Sequence, residues 1–244
     1  MENSVHGDRI QGNSIMDKKE MENPKNIAII MDGNRRWARS RGLHDQKGHT
    51  AGYEKLLELL DWVAEAGVPH VTVFAFSTEN WKRSEEEINH LQSLICRLGD
   101  KDKKRLIKEG VKVTFIGKHE RFSEKTRKKI KETEEATKEC KKVNLTIAFS
   151  YGGRKEIVLA AEAWSDSGTE PTEENFERFL QTTHMPDPDI VIRFGKEKRI
   201  SNFLLWQIAY SELFFSDTFW PDLSKDEFVE ILESFKNRAR RRGV

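Results

Sequence analysis

The residues best suited to chemistry stand together in "NIAIIMDGNRRWAR", residues 26–39, where an apolar run ends on Asp32, Gly33, Asn34, Arg35 and Arg36. One carboxylate beside two guanidinium groups is a donor set for a diphosphate and a divalent cation. Arginine offers forked donors to phosphate oxygens, and Mg²⁺ commonly takes one or two carboxylates plus substrate oxygens. Gly33 permits a tight turn, so that amides at the next helix start can face an anion. The same residues also read as an Asx turn that caps a helix and leaves its arginines at the surface.

Three further apolar runs end in polar clusters. "FAFSTENWKR" (74–83) supplies Ser77, Glu79, Asn80, Trp81 and Arg83, although Ser or Thr followed by Glu is also a helix-capping pattern. "FSYGGRKE" (149–156) places Gly152, Gly153 and Arg154 after a run, and "IRFGKEKRISNF" (192–203) does the same with Arg193, Lys196, Arg199 and Ser201. His49, in "GHTAG", opens a helical stretch, where it serves either as a cap or as a phosphate contact. Four basic loops point to an anion with more than one phosphate. The usual nucleotide loops, GxxxxGK[ST] and GxGxxG, are absent.

The elements that must position these loops are readable from periodicity. Runs at 26–31, 70–76, 111–117, 143–150 and 188–194 are short and nearly continuously apolar, as strands covered on both faces are. Between them, Tyr53, Leu56, Leu57, Leu60, Val63 and Ala64 form one helical stripe ended by Gly67, and Ile88, Leu91, Leu94, Ile95 and Leu98 form another that continues toward Leu106. Residues 119–142 read as a mostly solvated helix, and Phe228, Val229, Ile231, Leu232 and Phe235 mark a last one. Strand alternating with helix predicts a single α/β domain with a mainly parallel central sheet, its ligands at the carboxyl ends of the strands.

Composition narrows the function. With 42 Lys and Arg against 41 Asp and Glu, the chain lacks the basic excess of a nucleic-acid binder. Cys96 and Cys140 have no metal-ligand spacing, which suits a reduced, cytoplasmic protein, and no run reaches the roughly 20 apolar residues of a membrane span. Residues 1–24 read as a disordered polar tail, leaving 25–244 as the catalytic domain.

Taken together, "MDGNRRWA", "GHTAG", "FSTENWKR", "SYGGRKEI" and "RISNFLLWQIAYSELFFSDTFWPD" resemble the cis-prenyltransferase family, the undecaprenyl diphosphate synthase type, over about residues 25–244. The resemblance implies a homodimeric α/β enzyme with a hydrophobic tunnel, which joins prenyl diphosphate substrates with Mg²⁺ and meets the membrane surface through its lipid product. It implies Asp32 as the catalytic carboxylate on the metal and Asn80 as a catalytic asparagine. It further implies Gly33, Asn34, Arg36 and His49 around the allylic diphosphate, with Arg35 and Trp37 also binding substrate. Phe76, Ser77, Trp81 and Arg83 would position the acceptor, Glu79 would bind substrate, and Arg193, Arg199 and Ser201 would hold the acceptor's diphosphate. Glu212 matches a metal-linked acid near the dimer interface. Arg241 and Gly243 match a C-terminal element that reaches the partner's site.

The chain departs from the family pattern at several positions. Asp45 stands where relatives commonly carry an arginine, Phe194 replaces a hydroxyl residue, Lys196 a glycine, Lys198 a histidine, Ser84 a proline and Ser150 an asparagine. Asp45 places negative charge near an anion and calls for compensation by Arg35 or Lys47. Lys196 sits where a left-handed backbone is the expected need. Three functions follow: condensation with isopentenyl diphosphate, head-to-middle coupling of two allylic diphosphates as in the lavandulyl branch, or a non-catalytic partner subunit. The presence of Asp32, Asn80, Arg193, Arg199 and Glu212 argues against the last. Ala75, small at a strand position facing the expected tunnel, argues against the shortest products.

Overall fold

A computed structural model describes residues 22–238 of the chain. Arg241, Gly243 and all but the end of the expected tail lie outside the described residues. Of that end, Pro24 is buried and the Asn23 amide donates to the Ala66 carbonyl at 2.7 Å, so these residues belong to the folded body.

Six parallel strands form one sheet: β1 (Asn26–Ile30), β2 (His70–Ser77), β3 (Val111–Ile116), β4 (Val143–Tyr151), β5 (Ile190–Arg193) and β6 (Glu212–Phe215), in the order β3-β4-β2-β1-β5-β6. The helices are α1 (Asn34–Arg39), α2 (Asp45–Glu65), α3 (Glu85–Arg97), α4 (Lys103–Glu109), α5 (Glu124–Thr137), α6 (Gly153–Ser167), α7 (Glu173–Glu177) and α8 (Lys225–Asn237). A 3₁₀ turn spans Thr78–Lys82, and a π turn, Leu98–Asp102, joins α3 to α4. The five expected strands are present. The sixth, β6, and the helices α6 and α7 are additions to the sequence reading.

All five residues of β1 are buried, in keeping with its central place in a sheet covered on both faces. Ile27 and Ile29 face a core shared with α2, α3, α5 and α8, whereas Ala28 and Ile30 face Phe203 and Leu204. The expected solvated helix, α5, buries Ile130 but also Thr126, Thr133 and Thr137, so threonine methyls carry part of its inner face.

At the carboxyl end of β2 the pairing with β4 slips between Phe74 and Phe76, leaving Ala75 without a partner. Val73 and Phe76 therefore face the same core while Phe74 faces the other, stacked 4.6 Å from Phe203. A bulge of this kind turns a strand end next to a site.

The site loop after β1 is seated by two glycines of α2. A Cβ on Gly48 would lie 2.0 Å from the Asn34 backbone carbonyl, and one on Gly52 would lie 2.2 Å from the Asn34 side-chain oxygen. This close approach explains the glycine spacing in "GHTAG". Gly48→Ala is expected to push α1 from α2 and lower unfolding free energy by about 1–3 kcal/mol, measured by urea titration.

Candidate active site

The carboxyl ends of β1 and β5 lie side by side in the register, Ile30 opposite Arg193. Asp32, two residues past β1, accepts a hydrogen bond from Arg193 Nη2 at 2.8 Å, one from the Gly33 amide at 2.6 Å, and an ion pair from Arg36 Nη2 at 3.1 Å. Burial works against the Asp32 charge, but the Arg193 bond, the Arg36 charge and the Gly33 amide outweigh it, holding the carboxyl below its ordinary value of 3.8. Arg193 is only 4% exposed; its Nη1 donates to the Arg199 carbonyl and to Ser201 Oγ at 2.7 Å. Among the described residues its buried Nε has no partner, nor does the Asn34 side-chain oxygen. The segment before α8 closes over this pair: the Trp220 amide donates to the Asp32 carbonyl at 3.0 Å and the Gly195 amide to the Thr218 carbonyl at 2.7 Å.

Glu197 links the two basic loops, pairing with Arg36 at 3.6 Å and with Arg199. Arg199, Lys196 and Lys198 are exposed around it. Lys196 retains the left-handed backbone its position demands, at φ 69°, so the non-glycine residue bears the strain instead of abolishing the turn.

A second cluster joins the β2 loop to α2. Glu87, a buried residue in the first turn of α3, lies 2.8 Å from His49 Nε2, accepts from Arg83 Nη1 at 2.8 Å and sits 3.9 Å from Arg35. Burial opposes the Glu87 charge, and the His49 bond with the Arg83 and Arg35 charges brings its carboxyl below the usual range. His49 is thus neither a helix cap nor exposed; it is a buried partner of this acid. Ser84 replaces the usual proline without loss, since its hydroxyl caps α3 by accepting from the Glu87 amide.

Asp45 is compensated as its charge requires, by the expected Arg35 and, in place of Lys47, by Arg39. Arg39 binds it through Nε and Nη2 at 2.8 and 2.7 Å, and Arg35 binds it at 2.8 Å; Lys47 is not involved. The Arg39 bond, with that of Arg35, lowers the Asp45 carboxyl. Arg35 is therefore committed to two acids.

The remaining expected residues divide. Asn80 accepts from the Ser77 amide at 3.0 Å in a reciprocal cap, which realises the capping alternative for Ser77 with Asn80 in place of Glu79. Trp81 Nε1 donates to Ser150 Oγ at 3.0 Å, and Ser150 adopts φ 58°, a conformation asparagine tolerates better than serine. Phe76 is fully buried behind Trp81, so it backs the β2 loop without lining its surface. Trp37 turns outward to Asp222. Phe194, fully buried against Trp220, lies in the core and not at a diphosphate. Glu212 stands at the amino end of β6, opposite Ile190, roughly 10 Å along the sheet from the level of Arg193. It pairs with Arg238, so it does not join Asp32 within one protomer.

Asn202, unmarked in the sequence reading, ties three loops: its oxygens accept from the Gly153 and Arg154 amides, and its Nδ2 reaches Glu79 at 3.4 Å. Behind the site, Met31, Asn34, His49, Tyr53, Leu94 and Trp220 help line an apolar chamber of about 70 Å³.

Residues 30–243 match the family described as "Putative undecaprenyl diphosphate synthase". The chain belongs to the undecaprenyl diphosphate synthase family. It is 46% identical over 228 residues to an isoprenyl transferase of Thermotoga maritima, covering 91% of this chain and 98% of that protein. It is also 46% identical over 229 residues to a tritrans,polycis-undecaprenyl-diphosphate synthase (geranylgeranyl-diphosphate specific) of Pyrococcus horikoshii, covering 90% and 87%. The structure of lavandulyl diphosphate synthase from Lavandula x intermedia, in complex with dimethylallyl diphosphate, superposes with TM-score 0.87 at 31% identity, over 91% of this chain and 99% of that one. A probable undecaprenyl diphosphate synthase of Campylobacter jejuni gives TM-score 0.79 at 37% identity, over 92% and 100%. This cis-prenyltransferase thus keeps the family's loops at one end of its sheet.

Because the folded Asp32 carboxyl titrates below its ordinary value, its contribution to stability is present above about pH 4 and lost as pH falls through the lower folded value. Asp32→Asn is expected to cost about 1–3 kcal/mol at neutral pH by leaving Arg193 without its counter-charge. In urea unfolding, that gap between wild type and variant should narrow below pH 4.

Proposed function

We propose that the protein condenses an allylic prenyl diphosphate with isopentenyl diphosphate to give a cis-polyprenyl diphosphate, using Mg²⁺ and working as a homodimer. The observation that carries this reading is the Asp32–Arg193 contact. It joins the loops expected for the two diphosphates, beside a chamber whose mouth includes Asn34 and His49.

A divalent cation fits Asp32, an ionised oxygen donor whose side chain is 29% exposed. Among the described residues no group of three or more His, Cys, Asp or Glu is arranged to hold a metal, so one carboxylate plus substrate oxygens is the donor set that suits Mg²⁺ here. When bound, the ion would neutralise charge that develops on the departing diphosphate. Arg36 and the amides beside Gly33 bind the allylic diphosphate, with Asn34 at the chamber mouth. Arg199 and Ser201 hold that of the acceptor, with Arg193 fixed between the sites. Guanidinium groups set in place before reaction favour the developing charge over the ground state. The apolar walls behind exclude water from the allylic carbon.

The edge strand supports the homodimer: Tyr210, Leu213 and Phe215 expose 83%, 40% and 41% of their surface next to Glu212. Apolar exposure on an unpaired edge is a surface that association covers. No described helix is long and apolar enough to cross a membrane. Contact with a membrane surface through the lipid product is part of this proposal.

Head-to-middle coupling is the second reading, favoured by the 0.87 superposition on the lavandulyl enzyme. It is weakened by the burial of Phe194, which leaves Lys196 and Lys198 as the changes exposed at the acceptor loop. Mass analysis of products from dimethylallyl, geranyl, farnesyl and geranylgeranyl diphosphates, each with and without isopentenyl diphosphate, decides. Product is expected only when isopentenyl diphosphate is present, and only with Mg²⁺. Coupled product from allylic diphosphates alone would favour the second reading. Asp32→Ala should lower kcat by about 10²–10³; undiminished turnover would overturn the role of the rim.

A further inference from the structure

The proposed reaction makes no use of the loop "SYGGRKE", residues 150–156. Its glycines serve packing. A Cβ on Gly152 would lie 2.8 Å from Asn202 Nδ2 and 2.9 Å from Thr78 Oγ1, and one on Gly153 would lie 2.8 Å from Leu205 Cγ. Lys155, which follows, lines a separate cavity of about 460 Å³ at the carboxyl ends of β3 and β4. That is a volume suited to a small organic ligand. Asp32, Asn34, Arg36, Arg193 and Arg199 take no part in its walls.

Three cations converge there: Lys118 and Arg121 from the loop between β3 and α5, and Lys155 from the first turn of α6. All three are exposed, and none forms an ion pair among the described residues. By contrast, Arg35, Arg39, Arg83, Arg105 and Lys129 each bind an acid. Two acids share the lining. Buried Glu156 has its oxygens occupied by the Tyr151 hydroxyl, Gln207 Nε2 and the Gln181 amide, and Glu120 is exposed, so the walls keep a net positive charge. Gly152 and Lys155 also bring the amino end of α6, whose dipole favours an anion, to the same wall.

One side chain connects this cavity to the reaction. Arg121 lies 4.2 Å over the ring of Trp81, whose Nε1 donates to Ser150 Oγ. Phe122 and Phe76 pack on the same ring at 4.7 and 5.1 Å. Trp81 in turn belongs to the 3₁₀ turn that carries Asn80. An anion that engages Arg121 competes with the ring for its guanidinium.

We propose that this cavity is a second phosphate site, separate from that of the substrates, whose occupant slows the reaction by drawing Arg121 off Trp81. Three converging cations and a helix dipole suit a multiply charged phosphate better than a single carboxylate. Leu159 and the lysine stems supply apolar surface beside it, so the phosphate arrives either free, as released diphosphate, or on an apolar body. The effect on rate rests on the prenyl-transfer reading; the binding does not.

Calorimetry on the full chain with Mg²⁺ tests the site, using inorganic diphosphate and farnesyl monophosphate as probes. The substrate site is filled beforehand with isopentenyl diphosphate and the thiolo analogue of farnesyl diphosphate, whose leaving group does not depart. One further equivalent of probe is expected to bind the wild type. Reversing two exposed charges in Lys118→Glu/Lys155→Glu should weaken that binding at least about tenfold and leave the analogue's own affinity unchanged. Equal affinity of the two probes identifies free diphosphate as the ligand, and tighter binding of farnesyl monophosphate identifies a phosphate on an apolar body. In turnover at saturating substrates, the probe should lower kcat of the wild type but not of the double variant, whose basal kcat matches the wild type. Arg121→Gln should lower kcat with no probe present and leave KM unchanged, the signature of a positioning residue acting through Trp81. Absence of the further equivalent, or its survival in the double variant, would overturn the site. Binding with kcat unaltered would overturn the link to Trp81. Titration of the analogue by itself reads the prenyl-transfer proposal separately.

Discussion

A guanidinium group buried to 4% exposure needs a counter-charge, and in this fold the demand falls on Asp32. Arg193 ends β5 and Asp32 follows β1, adjacent strands whose parallel pairing brings both residues to one rim. Each is the other's nearest opposite charge. The backbone turn at Gly33, the Gly195 turn against Thr218, and the seating of Trp220 on the Asp32 carbonyl are all arranged around this pair. An anionic ligand therefore meets charges that are already fixed in place, and the reorganisation otherwise needed at reaction has been made in folding.

Much of this was readable from residue order because a parallel sheet imposes a simple rule. Strands covered on both faces must be continuously apolar, and polar residues that end them must share one rim. β1, β2, β4 and β5 obey that rule, which is why the four basic loops converge. Elements that break it were missed. β6 buries Phe214 and exposes Leu213 and Phe215, so its sequence carries no burial pattern of a central strand. Helix α6 follows a glycine pair that drew attention as a phosphate loop, and the apolar side chains it buries are few.

The site's supporting contacts were less legible, since they join residues far apart in sequence. Nothing near Glu87 marks it as the partner of His49, 38 residues earlier, nor does anything near Asn202 indicate Gly153 and Arg154. The charge at Asp45 was visible and its compensation foreseeable, but the choice of Arg39 over Lys47 depends on how the chain turns between α1 and α2. Phe194 shows the opposite error. Its place among diphosphate residues suggested an altered binding loop, yet its side chain points inward to Trp220 and is accounted for by packing.

The strand order carries a consequence for biogenesis. β1 lies in the middle of the sheet, yet one of its neighbours is β5, whose Arg193 is 161 residues downstream of Asp32. Pairings that distant are slow to form, because chain closure must be achieved before the contact stabilises anything. One flank of an entirely buried strand thus stays unpaired until β5 has been synthesised. A strand edge left open in that interval is exposed to mispairing, and the Asp32–Arg193 contact cannot form until β5 docks.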